Sequence, residues 1–246
     1  MRPVARSRSR KIYNSQGIQF ASALFPETMM TAIERGCEGC GQCCKQGGPA
    51  LHGSDLHLVL SGKIPINTLI TIRKGELAHN PLAGSVQPVT VELVKIAGAG
   101  SQWQCRYYES PRGCTIYEHR PLACRALRCW DTTEILTLVE KDTLSRFDIL
   151  SADHFLLPAI REQERLCPCH DLQQLHTAGR DLSDDAKKEL ENRVREEVRL
   201  RTWVVADFQL QLCDELFYFG RPFFQLLQAL GVRVSETSAG IQLHWG

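Results

Sequence analysis

Long apolar segments are missing from this chain of 246 residues. No stretch approaches the roughly 20 consecutive apolar residues with which a helix crosses a bilayer. No apolar segment follows the basic residues near the N-terminus either, as a secretory signal would require. The sequence therefore predicts a cytoplasmic protein without membrane partners, in a compartment where thiols stay reduced.

Neither sign of charge is in large excess, because the formal net charge is +1. Five basic residues lie within the first eleven positions, and the rest of the chain has 24 basic and 28 acidic residues. A basic stripe that could follow a nucleic acid backbone is thus absent from the body of the chain. We expect residues 1–17 to form a disordered basic tail and nucleic acid not to be a partner.

The sequence also lacks a recognisable cofactor loop and a catalytic triad. Gly98-Ala99-Gly100 follows a predicted strand but leads into a second strand. A loop that cradles phosphate would lead into the N-terminus of a helix, so we interpret these residues as a hairpin turn. An enzyme remains an alternative hypothesis, with metal-dependent redox chemistry or group transfer to a protein or peptide.

Cysteine, in contrast, is abundant and clustered, with eleven residues in the chain. Eight of them form two groups, one within residues 37–44 and one spread over residues 105–129. These eight candidate metal ligands are Cys37, Cys40, Cys43, Cys44, Cys105, Cys114, Cys124 and Cys129. Thiolates gathered this densely in a reducing compartment predict a metal or an iron–sulfur cluster rather than disulfides.

The spacing of the first group of cysteines indicates which kinds of metal site they could form. A C-x2-C pair lets two thiolates reach one ion from a tight turn, and the pair occurs twice in succession here. Ferredoxin-type loops use C-x2-C-x2-C for three corners of a cluster and a distant cysteine for the fourth. Neighbouring side chains of an extended segment point to opposite sides, so Cys44 either serves a second site or faces the core.

Eight thiolates suffice for two four-coordinate sites or for one larger cluster. The double C-x2-C step favours iron, as an iron–sulfur cluster, whereas zinc needs only pairs of thiolates and remains the second candidate. Metal binding itself would then be the role of the protein, with folding coupled to it. A zinc-stabilised interaction module with a basic arm that binds nucleic acid is a further alternative, which the near-neutral body of the chain disfavours. A protein or peptide is a separate candidate partner.

The pattern C-x2-C-x2-CC, followed by G-C-x-I-Y-E-x-R-P-x-x-C-R over residues 113–125, resembles a known family. It is similar to the zinc- or iron-chelating domain family, the CxxCxxCC or YkgJ-like proteins. By eye the resemblance covers residues 36–130, and it implies chelation of zinc or iron by all eight cysteines. A similar cluster in flagellin lysine methylases implies that an enzymatic role is a second interpretation.

A smaller cluster lies downstream, where Cys167, Cys169 and His170 surround Pro168. These residues are candidates for additional metal ligands or for a redox role. The alternative is a turn that Pro168 fixes, with incidental thiols. Cys213 stands alone on a predicted apolar helix, where a thiol behaves as a small hydrophobic side chain.

Three charged residues near the second group of cysteines are candidates for supporting the site. Glu118 and Arg120 lie between Cys114 and Cys124, and Arg125 follows the latter directly. Hydrogen bonds from such neighbours orient metal ligands, and the arginines would offset the negative charge of thiolates.

The fold class predicted is α+β. A small, irregular, metal-centred domain with short strands and helices is expected over residues 18–175. A helical C-terminal region that ends in a β-hairpin is expected over residues 183–246. Residues 89–96 are predicted to form a strand that pairs with residues 102–108. Ser183 is the predicted N-cap of a charged helix.

Overall fold

The computed structural model describes residues 37, 39–178, 182–237 and 240–245. The predicted tail over residues 1–17 lies outside the described residues. The described residues combine helices with short antiparallel strands and end in a hairpin, which confirms the α+β class. Within these ranges, every helix is too short or too polar to cross a lipid bilayer.

The strands pair two by two, always antiparallel. The pairs are β1 (Leu69–Ile72) with β4 (Leu93–Ile96), β2 (Leu77–Asn80) with β3 (Ser85–Pro88), β5 (Gly98–Ala99) with β6 (Gln104–Cys105), β7 (Tyr108–Glu109) with β8 (Gly113–Cys114), and β9 (Arg233–Thr237) with β10 (Gly240–His244). Ladders of two residues bury little surface by themselves, so neighbouring elements must hold them in place.

The strand predicted over residues 89–96 is shorter than expected, and the prediction of its partner was wrong. Only residues 93–96 are extended in a ladder, and they pair with β1 rather than with residues 102–108. The backbone N–H of Val89 donates to Glu76 at 3.0 Å, and that of Thr90 donates to a Glu140 carboxylate oxygen at 3.2 Å. These distant partners, which local propensity does not reveal, keep residues 89–90 out of the ladder.

The longer helices lie in the C-terminal half of the chain. They are α1 (Leu56–Leu60), α2 (Leu122–Ala126), α3 (Thr133–Leu136), α4 (Arg146–Ile149), α5 (Leu157–Leu166), α6 (Leu172–Ala178), α7 (Asp184–Phe208), α8 (Leu212–Phe219) and α9 (Phe223–Gln228). Ser183 caps α7 as predicted, because its hydroxyl accepts from the Ala186 N–H at 3.2 Å. The helix ends at Gln209, whose φ of +50° turns the chain.

Two main groups of buried side chains hold these elements together. The first joins the cysteine-rich part to the long helices, since Leu51, Leu69 and Cys105 share it with Val204 and Phe217. The second lies around α9 and the C-terminal hairpin, where Leu190 and Val194 of α7 pack with it. Burial of apolar surface at about 25 cal/mol per Å² is the main stabilising term in both.

Candidate metal centre

The first four cysteines lie on a loop that glycines shape. Gly39 and Gly41 have φ values of +69° and +75°, a region that glycine enters without the penalty of a Cβ. Gly41 packs beneath the Tyr108 ring, where a Cβ would come within 2.2 Å of Cζ. A Cβ on Gly39 would meet no atom of the described residues within 4 Å. The loop is therefore tightly packed at Gly41, whereas at Gly39 the backbone lies near Gly113 of β8 but leaves space on the side of a Cβ.

Two short ladders bring Cys105 and Cys114 to this loop. Cys105 pairs with Gly98 across β5 and β6, and Cys114 pairs with Tyr108 across β7 and β8. Tyr108 thus connects the two groups of cysteines, because its ring covers Gly41 and its backbone is the partner of Cys114. The 3₁₀ turn Cys44–Gln46 packs against β6 from the other side.

A buried carboxylate positions the helix that carries Cys124. Asp55 is fully buried, and one of its oxygens accepts from the Leu122 N–H at 2.8 Å, at the first residue of α2. The other oxygen accepts from the His52 N–H at 3.0 Å. Arg125 Nη2 lies 3.9 Å from Asp55 Oδ1. Sequence reasoning missed this role, although His52-x-x-Asp55 has the spacing of a capping box.

Four thiols form what we call the inner set: Cys44, Cys105, Cys114 and Cys124. The pKa of Cys44 is raised to about 12, mainly by burial and in addition by the nearby thiols of Cys43, Cys105 and Cys114. The pKa of Cys124 is raised by burial and then by Cys105, Cys114, Cys44 and Cys43. The inner thiols therefore lie close enough to one another to interact, in an environment that disfavours charge.

The other four thiols form the outer set: Cys37, Cys40, Cys43 and Cys129. The pKa of Cys129 is raised by slight desolvation, then by Cys43, Cys40 and Cys37, and by a hydrogen bond with Cys40. Cys37, Cys40 and Cys129 are exposed, whereas no inner thiol is. Cys43 Sγ lies 3.9 Å from Cys44 Sγ, so the two sets are adjacent.

All eleven cysteines are free thiols in this structure. Soft thiolates are the donors that zinc and iron–sulfur clusters prefer, so the residue types of both sets fit the predicted metals. Among the described residues, no three His, Cys, Asp or Glu side chains are close enough together to hold an ion as they stand.

The second predicted cluster lies elsewhere in the molecule. Cys167 and Cys169 are buried in the core around α9. Burial raises the pKa of Cys169 to about 12, and the Arg73 guanidinium opposes this shift. His170 is exposed, with Nε2 at 2.9 Å from Asp171 Oδ1. After burial, the largest influences on the pKa values of these two thiols come from nearby charged residues, Arg73 and Glu197 among them, and not from any of the eight cysteines.

The three candidates for supporting residues differ in position. Glu118 is exposed on a 3₁₀ turn, Tyr117–His119. Arg120 donates from Nε to the Tyr117 carbonyl at 2.9 Å and stacks 3.6 Å from the centre of its ring. Arg125 alone reaches a residue that positions a cysteine-bearing helix, through its contact with Asp55.

Comparison with known proteins agrees with this geometry. No curated protein and no solved structure matches the chain. A family model with the description "Putative zinc- or iron-chelating domain" (CxxCxxCC) matches residues 36–143. That range contains every cysteine of the inner and outer sets and none of the other three. Over residues 36–143 the chain is therefore similar to the CxxCxxCC family.

Proposed function

We propose that this protein binds zinc or iron through the inner and outer thiols, and that the outer set holds an iron–sulfur cluster. The observation that carries the proposal is the grouping of Cys129 with Cys37, Cys40 and Cys43. Three of these lie on one C-x2-C-x2-C loop and the fourth is distant, as in ferredoxin-type ligation. Cys44, which would break that pattern, also lies near Cys105 and Cys114, which supports leaving it out of the outer set.

The residues of the chain would act on such a group in three ways. The thiols bind as thiolates, so their raised pKa values mean that metal must displace protons. Tyr108 packs the ligand loop through Gly41, and Asp55 fixes the N-terminus of α2, which carries Cys124. The thiols of each set would have to draw together on binding. An iron–sulfur cluster would supply electron transfer when bound, and a reducing compartment such as the cytoplasm would keep the thiols available.

The test is metal and sulfide analysis of the chain purified without oxygen, with an absorption spectrum. We expect iron, acid-labile sulfide and an absorption band near about 400 nm. Cys129→Ser should lower iron and sulfide strongly, because it removes the distant ligand of the outer set. Cys213→Ser is the matched control, since this exposed thiol lies outside both sets.

The other outcomes are equally informative. A colourless protein with about one or two zinc ions per chain would replace the cluster by Cys₄ zinc sites, and would leave chelation itself in place. A chain that contains neither metal after anaerobic purification, and binds neither when it is added, would overturn the proposal. Unchanged iron and sulfide in Cys129→Ser would remove Cys129 from the ligands.

A further inference from the structure

A series of aromatic contacts joins α7 to α8 and to the residues that precede α5. The rings of Trp203 and Phe208 meet edge to face, with their centroids 5.8 Å apart, and the Phe208 ring lies 5.2 Å from that of Phe155. Phe155 stacks on His154 at 4.6 Å, and the His154 ring lies 5.5 Å from that of Tyr218. We call these five residues the aromatic patch.

One end of the aromatic patch is buried and the other is open to solvent. Tyr218 belongs to the first hydrophobic core, and Phe208 packs against that core. Phe155 and Trp203, in contrast, keep 55% and 52% of their surfaces exposed. Because the inner rings are held by the core, the outer rings form a fixed aromatic surface. Exposed apolar surface of this kind is typical of binding sites.

The histidine of the aromatic patch adds no positive charge to it. The backbone N–H of Leu156 donates to His154 Nδ1 at 3.3 Å, so this nitrogen carries no proton. Burial lowers the pKa of His154, although neighbouring Asp153 opposes this shift. The ring is therefore neutral near pH 7, and Asp153, which is exposed, supplies negative charge beside it.

A second carboxylate lies beside the exposed tryptophan. Asp207 follows Trp203 by one turn of α7, so the two side chains share a face of the helix. Asp207 is exposed, and in the part of the chain that the structure describes its carboxylate has no hydrogen-bond or ion-pair partner. Arg199, one turn before Trp203, pairs instead with Glu196 at 2.8 Å. The exposed rings are thus bordered by negative charge.

We propose that the aromatic patch binds an arginine side chain on an exposed segment of a partner protein. A guanidinium group stacks on aromatic faces and pairs with carboxylates, and Trp203 and Asp207 offer one of each on the same helix face. This function is separate from metal binding, because none of the eight candidate ligands lies on the elements that carry the aromatic patch.

The size and the charge of the aromatic patch both disfavour a second copy of this chain as the occupant. Two half-exposed aromatic side chains offer about 200 Å² of apolar surface, whereas each partner in a stable protein interface buries about 800 Å². A two-fold contact centred on the aromatic patch would also place the carboxylates of one copy against those of the other. A single cationic side chain needs less area and neutralises this charge.

The test is a titration of the nitrogen-15-labelled full chain with an arginine–glycine repeat peptide, followed by NMR of the tryptophan side-chain N–H groups. A Trp203→Phe variant identifies the Trp203 signal. We expect that signal to shift and to saturate, while the signals of Trp103, Trp130 and Trp245 keep their positions as internal references. The same peptide with citrulline in place of arginine should bind at least about fivefold more weakly, because it keeps the shape but lacks the charge.

Variants at exposed positions separate this site from general attraction between opposite charges. Asp207→Asn should weaken binding of the arginine peptide about threefold, and Phe155→Ala about fivefold. Asp185→Asn is the matched control for the charge, since Asp185 is exposed in the first turn of the same helix. Leu82→Ala is the control for lost apolar surface, because Leu82 is 63% exposed and lies in the turn between β2 and β3.

Several results would overturn the inference. They are a Trp203 signal that does not move, equal shifts of all tryptophan signals, and equally tight binding of the citrulline peptide. Self-association of the chain that Phe155→Ala abolishes would assign the aromatic patch to a second copy instead. Metal analysis of the same samples keeps this test distinct from that of the proposed function, since arginine binding should be the same with and without bound metal.

Discussion

At the scale of single residues, Asp55 connects two segments that are distant in sequence. Its carboxylate accepts from the His52 N–H and from the Leu122 N–H, and it is fully buried. A buried carboxylate is tolerated only where partners offset its lost hydration. Arg125 supplies positive charge at 3.9 Å. Asp55 is thus a positioning residue for Cys124, which lies between Leu122 and Arg125.

We predict that Asp55→Asn destabilises the metal-free chain by about 1–3 kcal/mol, because one buried N–H loses its acceptor and Arg125 loses its partner. Urea unfolding of the reduced chain measures this change. Asp148→Asn is the matched control, since Asp148 accepts from the Ser145 N–H at 2.8 Å in a second capping box but is exposed. Its expected cost is about 0.5–1 kcal/mol. Equal costs for the two variants would contradict the positioning role.

Metal retention separates positioning from a general loss of stability. In Asp55→Asn the loss of bound metal to a chelator should accelerate, because the helix that carries Cys124 is less well held. In Asp148→Asn the rate of metal loss should stay the same, since α4 carries none of the eight candidate ligands.

At the scale of elements, a buried network of charges joins the long helices. Glu197 of α7 is fully buried and accepts from Gln163 of α5 at 2.8 Å and from the Phe223 N–H at the start of α9. Arg201 donates to Glu197 and, at 2.9 Å, to Glu215 of α8. The carboxylate of Glu197 therefore connects four helices, and each partner depends on the others to remain paired.

We predict that Glu197→Gln destabilises the fold by about 3 kcal/mol, because it leaves buried Arg201 with only one carboxylate partner. Glu196→Gln is the matched control on the same helix. Glu196 is exposed and pairs with exposed Arg199 at 2.8 Å, a type of pair that contributes about 0–1 kcal/mol. Thermal or urea unfolding measures the stability of both variants against that of the unaltered chain. If Glu197→Gln lowers the free energy of unfolding by less than Glu196→Gln does, the buried network adds nothing to the stability of the fold.

At the scale of the whole molecule, protons and metal should compete for the same thiols. Burial, followed by neighbouring thiols, raises the pKa of Cys44 from 9.0 to about 12 and raises that of Cys124 as well. The folded, metal-free chain therefore keeps protons that the unfolded chain has already lost at alkaline pH. The stability that these protonated thiols contribute is fully present below the thiol pKa of the unfolded chain. It is lost as the pH rises toward the thiol pKa of the folded chain.

We predict opposite pH dependence for the two forms of the protein. The metal-free, reduced chain should lose stability as the pH rises from about 9 toward about 12, because the thiols ionise there in the unfolded chain but stay protonated in the folded one. Cys44→Ser should make this slope shallower, and Cys213→Ser should leave it unchanged. Lys95, whose pKa is lowered by burial, acts in the opposite direction and is common to all three chains. A metal-free chain that gains stability over this range would contradict the prediction.

The loaded chain should instead lose stability as the pH falls from about 8 to about 5, because protons then displace metal from thiolates. Unfolding followed by fluorescence, with metal release measured in parallel, compares the two forms.

Local signals in the sequence predicted several elements well. Ser183 begins α7 because its hydroxyl and the following aspartates suit a helix N-terminus, and the C-terminal hairpin forms as the alternation of side chains indicated. The partner of β4 could not be predicted in this way. Leu93–Ile96 pairs with β1, more than twenty residues earlier, and that choice depends on side chains of the core rather than on the nearest extended segment. The proposed boundary between residues 175 and 183 stays a prediction.

The sequence by itself determined the candidate donors: eight thiols in two groups, with spacings that are typical of metal ligation. Only the tertiary structure decided which thiols lie together. Cys129 is close to Cys37 and Cys40, across about ninety residues, and Cys44 is close to Cys105 and Cys114 as well as to adjacent Cys43. Tertiary structure also placed Cys167 and Cys169 in the core around α9. The physical reason is that ligand grouping depends on long-range packing, through contacts such as those of Tyr108 and Asp55, which spacing along the chain does not encode.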